Sequence, residues 1–359
     1  GVDIVIELRT LLCRLSEAFG PSGYEKAVRT IVREEIQGAV DRIDVDTMGN
    51  LIAFKAGAGA EPRLRVLLTA HMDEVGFMIT QVKKDGMLSF KPVGGVDSRL
   101  LLGKRLVIGE NRLAGIIGAP VPHLQRGGAA NRIVDLDDMA IDIGAPDEKA
   151  ANGQVKVGDY ATFATSFSVL CEDAGWPTVR GKAFDDRAGC AVLAALLKRE
   201  RLPVDLFAVF TVQEEVGLRG ARVAAHRVHP DAAFALEGTL CDDLPRPPDE
   251  DSTPVTRLGD GPAITLMDRS VVAHPGLVAL LQETAATADI PVQYKAPGLG
   301  GTESGVTHLA HSGVPSATIA VPCRYIHGPA AILNLNDLNA TVQLMDATLR
   351  RITAQDLAR

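Results

Sequence analysis

The chain has 359 residues, 46% of them hydrophobic and 23% charged. That is ample apolar material for a core and, at roughly 100–200 residues per domain, for two domains. Its 37 Lys and Arg against 45 Asp and Glu give a formal net charge of −8 with no block of like charge, which excludes the basic footprint of a nucleic-acid binder. No run approaches the roughly 20 apolar residues of a membrane span, so no membrane association is expected.

In chain order, residues 5–19 place Leu8, Leu11, Leu12, Leu15 and Phe19 at helical spacing and stop at Gly20-Pro21. Residues 1–12 carry Asp3, Glu7 and Arg9 and lack a basic leading region, so no signal peptide is expected there. Ser22, with Glu25 three residues on, reads as a capping box for a second helix through Val28, Ile31, Val32 and Ile36. Residues 43–46 and 51–55 read as strands joined by the turn Thr47-Met48-Gly49-Asn50, and 64–70 as a central strand buried on both faces. Stretches 206–212, 232–236 and 316–321 share that character. They alternate with helical patterns at 188–197, 277–288 and 338–352, the second opening at His274-Pro275. This alternation predicts an α/β layered sandwich with a largely parallel sheet.

Between about Phe77 and Val169 the pattern changes to short alternating strands at 78–82, 87–91, 105–108, 114–117 and 160–163, with no helix. The expected organisation is an α/β domain from residues 1–76 and 177–359, interrupted by a β-rich insertion at 77–176. Residues 242–254, with four prolines, read as a surface loop. Five scattered cysteines without any C-x-x-C spacing point to reduced thiols and a cytoplasmic location.

Acidic and imidazole residues fall where the strands end. His71 and Asp73 follow strand 64–70, Asp185 and Asp186 precede the helix at 188, and Glu214 and Glu215 follow strand 206–212. Glu237 ends strand 232–236, and His327 follows strand 316–321. In an open α/β sheet the carboxyl ends of the strands meet at one crevice. Two imidazoles with several carboxylates suit a pair of divalent ions of the zinc, cobalt or manganese type, which activates water and polarises a carbonyl. Neighbours on a strand point to opposite sides, so Glu214 and Glu215 divide into a base and a ligand. Either Asp185 or Asp186 also suits a helix N-cap. Gly298-x-Gly300 lacks the third glycine of a dinucleotide fingerprint. His123, His226, His229, His274, His308 and His311 stay outside the set, His308 being the best remaining candidate.

The segments His71-Met72-Asp73-Glu74-Val75-Gly76-Phe77, Phe184-Asp185-Asp186-Arg187-Ala188-Gly189-Cys190, Gln213-Glu214-Glu215-Val216-Gly217-Leu218-Arg219-Gly220-Ala221 and Arg324-Tyr325-Ile326-His327 resemble the M42 metallo-aminopeptidases, of the glutamyl and tetrahedral aminopeptidase type. Residues 19–25 and 46–51 match the same pattern, so the resemblance runs in order through the chain. It implies an α/β/α sandwich metallopeptidase domain with an inserted β-rich, PDZ-like dimerisation domain. It also implies an aminopeptidase acting on short peptides, with two divalent ions per subunit, Zn2+ or Co2+, and self-association into dimers and a tetrahedral dodecamer. Carried over by motif, His71 and Glu237 hold one ion, Glu215 and His327 the other, and Asp185 bridges. Asp73 orients His71, and Glu214 is the general base.

Two positions depart from the pattern, since Glu237 and Glu303 stand where the family commonly has Asp. A deacylase or carboxypeptidase of the related co-catalytic metallohydrolases would use similar ligands, and a catalytically silent member would act as an assembly scaffold. An N-acetylated peptide separates the first of these from an aminopeptidase. A glycosidase would leave both His ligands without a task.

Overall fold

The computed structural model describes residues 2–119, 133–173, 175–245, 247 and 253–358. His123 and residues 246 and 248–252 of the Pro-rich loop lie outside the described residues. An eleven-stranded sheet runs in the order Arg42–Val45, Leu51–Lys55, Asp205–Thr211, Arg65–His71, Ala232–Cys241, Ser316–Arg324, Ala331–Asn334, Thr178–Gly181, Ser168–Cys171. Ala263–Thr265 and Gln293–Lys295 branch from Ser316–Arg324.

The four central strands are mutually parallel, as is the branch pair Ala263–Thr265 with Gln293–Lys295. The flanks are antiparallel, which corrects the expectation of a largely parallel sheet. The apolar run of the central strand has the cause expected of it. Val66, Leu68 and Ala70 pack beneath the helices Val2–Glu17, Phe184–Leu197 and Leu335–Arg351, while Leu67 packs on the opposite face with Ala224, Ala225 and Val228 of helix Arg219–Val228. Helices thus cover both faces of the sheet. Among the described residues none is long and apolar enough to cross a membrane.

The β-rich stretch forms a closed six-stranded barrel of Gly76–Val82, Leu88–Val93, Ala140–Asp142, Leu113–Gly118, Arg105–Ile108 and Tyr160–Phe163. Phe77 fills its core, edge-on to Phe90 at 5.3 Å and Phe163 at 5.5 Å. By Ser168 the chain already pairs in the large sheet. The region also holds a helix, Glu148–Asn152, whose first turn is capped by the Asp147 side chain accepting from the Ala150 N–H at 2.8 Å. Its five residues are too few to show a 3.6-residue period.

Two local expectations are also corrected. The second helix, Lys26–Ile36, begins without a side-chain cap, because Ser22 and Glu25 hydrogen-bond elsewhere. Strand Ala232–Cys241 continues past Leu236, so Glu237 lies within it, opposite Ala320. A Cβ at Gly238 would sit 2.7 Å from Asp185 Cα, so only glycine lets this strand pass that near.

Candidate active site

His71 closes the central strand with its side chain 1% exposed. Its backbone N–H donates to Asp186 Oδ2 at 3.0 Å, and its Nδ1 lies 3.0 Å from the backbone carbonyl of Asp73. An imidazole whose Nδ1 proton is given to a carbonyl offers Nε2 as the free lone pair. Nε2 faces Asp185 Oδ1 at 3.3 Å, Glu237 Oε2 at 3.6 Å and Glu214 Oε2 at 3.8 Å.

His327 repeats the arrangement from the other side. Its Nδ1 lies 2.9 Å from the Gly95 carbonyl, and its Nε2 faces Asp185 Oδ2 at 3.3 Å and Glu215 Oε1 at 3.6 Å. Asp185 therefore turns one oxygen to each imidazole. Its neighbour Asp186 takes the capping task, accepting from the Gly189 N–H at 2.9 Å as well as from His71. Asp73 reaches His71 Nδ1 only at 3.6 Å through its carboxylate, whose closer partners are Ser22 Oγ at 2.6 Å and the backbone N–H groups of Glu214 and Glu215 at 3.0 and 3.1 Å.

All seven residues singled out from the sequence thus lie in one cluster. His71, Glu214 and Glu237 bring one ligand atom each within 4.8 Å of one another, as do Asp185, Glu215 and His327. Burial, with neighbouring carboxylate charge behind it, pushes Glu237 and Glu214 well above the usual carboxylate range and Glu215 up to about 7. Burial works the same way on Asp185, but His327 and His71 outweigh it and hold that carboxyl below its ordinary value. Buried carboxylates pressed together and faced only by imidazole call for cations, and nitrogen with oxygen donors fits borderline divalent ions. The residues present therefore fit such a pair of ions. A cleft lined by Val75, Asp185, Glu215, Tyr325 and His327 opens on the side of His327, which is 38% exposed, while the His71 side is closed.

Several residues around the site make contacts that the sequence did not disclose. Lys182 Nζ donates to both oxygens of buried Glu74, at 2.5 and 2.7 Å, and Arg187 reaches the same carboxylate at 3.3 Å. Arg187 also donates to the carbonyls of Met72 at 2.8 Å and Leu15, tying the first helix to the His71 loop. Glu303 is fully buried, its N–H donating to Glu237 Oε1 at 2.9 Å and its Oε1 accepting from Thr211 Oγ1. The available signal was charged residues adjoining the acidic motifs in segments otherwise apolar. His308 lies outside the cluster, its Nδ1 2.7 Å from the Ser304 carbonyl, and His226, His229 and His311 stack on one another away from it.

A buried α/β crevice where imidazoles and carboxylates can hold divalent ions marks the class of metal-dependent hydrolases. Residues 49–344 match the family model described as M42 glutamyl aminopeptidase. The chain is 39% identical over 337 residues to a putative aminopeptidase of Acetivibrio thermocellus, covering 93% of this chain and 96% of that one. Among solved structures, the TET aminopeptidase of Thaumarchaeota archaeon SCGC AB-539-E09 superposes with a TM-score of 0.91 at 36% identity, covering 98% of this chain and 99% of the other. The TET1 peptidase of Pyrococcus horikoshii does so with a TM-score of 0.83 at 34% identity, covering 97% and 100%. The chain belongs to the M42 family and is a peptide hydrolase.

Proposed function

We propose that the chain is a dinuclear-metal aminopeptidase that removes N-terminal residues from short peptides. The observation that carries this reading is Asp185, whose two oxygens each stand 3.3 Å from a different imidazole. His71 and Glu237 would hold one ion, His327 and Glu215 the other, and Asp185 would bridge them, with Zn2+ or Co2+ suiting the donors. When bound, such ions lower the pKa of water and polarise a carbonyl.

The chain's own contribution is proton transfer and placement. Glu214 Oε2 takes the proton of the attacking water and returns it to the nitrogen of the leaving amine. Asp73 fixes the backbone from which Glu214 extends. The acidic cluster favours a free, positively charged substrate amine and so N-terminal trimming.

The P. horikoshii peptidase is described as assembling into a tetrahedron or a large octahedral shell. We read the barrel as a PDZ-like assembly module inserted, at about residues 77–176, between catalytic segments 1–76 and 177–359, with Ser168–Cys171 already in the catalytic sheet. Exposed Leu100, Leu102 and Ile116 on or beside the barrel suit dimer formation, and a cytoplasmic dodecamer is the proposed working form.

The test is hydrolysis of aminoacyl p-nitroanilides and their N-acetylated counterparts, before and after chelation and readdition of zinc or cobalt. Cleavage of free-amine substrates alone, lost on chelation and restored by metal, is the expected result. Cleavage of acylated substrates alone would establish a deacylase, and no cleavage with two ions bound would establish a scaffold.

A further inference from the structure

Four consecutive backbone N–H groups at the strand end carrying Glu214 and Glu215 each meet a side-chain oxygen. Val212 donates to Asn50 Oδ1 at 3.0 Å, Gln213 to Glu25 Oε1 at 3.1 Å, Glu214 to Asp73 Oδ1 at 3.0 Å and Glu215 to Asp73 Oδ2 at 3.1 Å. Asn50, Glu25 and Asp73 are all buried. Each is held in turn. Asn50 Nδ2 donates to Asp46 Oδ2 at 2.7 Å and to the Gly220 carbonyl at 3.1 Å, the Gly23 N–H donates to Glu25 Oε1 at 2.6 Å, and Ser22 Oγ donates to Asp73.

Loops leaving a strand ordinarily turn their amides to water. Here all four are committed to side chains from the first 73 residues of the chain. Gln213 also adopts φ 56°, a left-handed conformation that a non-glycine residue keeps only where its surroundings impose it. The anchors thus fix a turn that would otherwise relax, and the turn sets the directions in which two adjacent carboxylates leave the backbone.

We propose that Glu25 and Asn50 are positioning residues for the reaction. With Asp73 they hold residues 212–215 so that Glu214 faces His71 and Glu215 faces His327. This rests on the reading of Glu214 as the base. Neither anchor touches the proposed ligands, and four of these, His71, Asp185, Glu237 and His327, lie off this turn, so removing an anchor displaces Glu214 without emptying the site. A shift of about 1 Å in a reacting group costs about 100-fold in rate.

The experiment compares Glu25→Ala, Glu25→Asp and Glu25→Gln with the wild type, using the best p-nitroanilide substrate and fully metal-loaded protein, with metal content measured. Gln keeps a carbonyl oxygen for the Gln213 amide, whereas Asp keeps the charge but is one methylene short. The expected result is kcat about 10- to 100-fold lower in the Ala and Asp variants, with KM within about threefold and both ions retained, and near wild-type kcat for Gln. Should Glu25→Ala fail to fold, the contrast between Asp and Gln decides. Equal kcat in the Asp and Gln variants, or metal lost in step with kcat, would overturn the proposal. Glu214→Gln is measured alongside: full activity there overturns the base assignment and this inference together, whereas an inactive Glu214→Gln beside a normal Glu25→Asp overturns the positioning role alone.

Discussion

The backbone N–H of Glu303 donates to Oε1 of Glu237 at 2.9 Å, leaving Oε2 as the oxygen that faces His71. A main-chain donor survives a change of side chain. Glu303→Gln, which keeps an acceptor for Thr211 Oγ1 and removes a buried acid, is expected to hold activity within several-fold of wild type. Glu303→Ala removes the closer acceptor of the Thr211 hydroxyl, leaving it the Ala70 carbonyl at 3.3 Å, and opens a cavity, at about 1–3 kcal/mol or more of stability. Thermal unfolding of the two variants checks the difference, and a Gln variant as destabilised as the Ala variant would contradict it.

Glu214→Gln removes a proton acceptor without removing a proposed ligand. It is expected to keep two ions while kcat falls by about 100- to 10,000-fold, the usual contribution of a general base. Metal analysis with steady-state kinetics reads both. Loss of an ion with Glu214→Gln, but not with Glu215→Gln, would exchange the roles of the two residues.

His327 is partly exposed and His71 fully enclosed, so the two halves of the site should differ in how easily they give up an ion. His327→Ala is expected to retain about one equivalent after dialysis against a weak chelator, because His71, Glu237 and Asp185 remain. Retention of two equivalents, or of none, contradicts the division of ligands.

Asp337 provides a pH test remote from the metal ligands. Burial raises its carboxyl from an ordinary 3.8 to about 6, although the N–H groups of Gly259 and Gly261, at 2.8 and 2.9 Å, oppose that rise. The folded chain holds this proton more tightly than the unfolded chain. The resulting stability is complete below about pH 4 and disappears as pH rises through about 6. At 1.36 kcal/mol per unit the change is about 3 kcal/mol. The stability of wild type relative to Asp337→Asn should therefore fall by that order between pH 4 and 7, read from denaturant midpoints. A constant difference would refute it.

What the sequence disclosed and what it hid have physical causes. Strands buried on both faces appear as unbroken apolar runs, and their carboxyl ends share one edge, so His71, Glu214 and His327 could be placed together before any coordinates. Asp185 and Asp186 are identical in type and adjacent, and only the folded backbone separates the residue between the imidazoles from the cap. Ser22 and Glu25 have the spacing of a capping box, yet Ser22 bonds Asp73, 51 residues away, and Glu25 accepts from Gln213, 188 residues away, as well as from nearby Gly23, and the distant partners lie beyond any local pattern. Helix Arg219–Val228 starts from a left-handed Leu218 without a side-chain cap, and its buried face is mostly Gly and Ala, so both its start signal and its apolar stripe are faint.

The carbonyl that receives His327 Nδ1 belongs to Gly95, just past the barrel strand Leu88–Val93. The barrel's own chain thereby determines which nitrogen of a catalytic-layer imidazole carries the proton. Cutting the barrel out would leave that imidazole free to rotate and to change tautomer, so the barrel and the proposed chemistry cannot be separated into independent parts, and a transplanted barrel would have to bring its own substitute for Gly95.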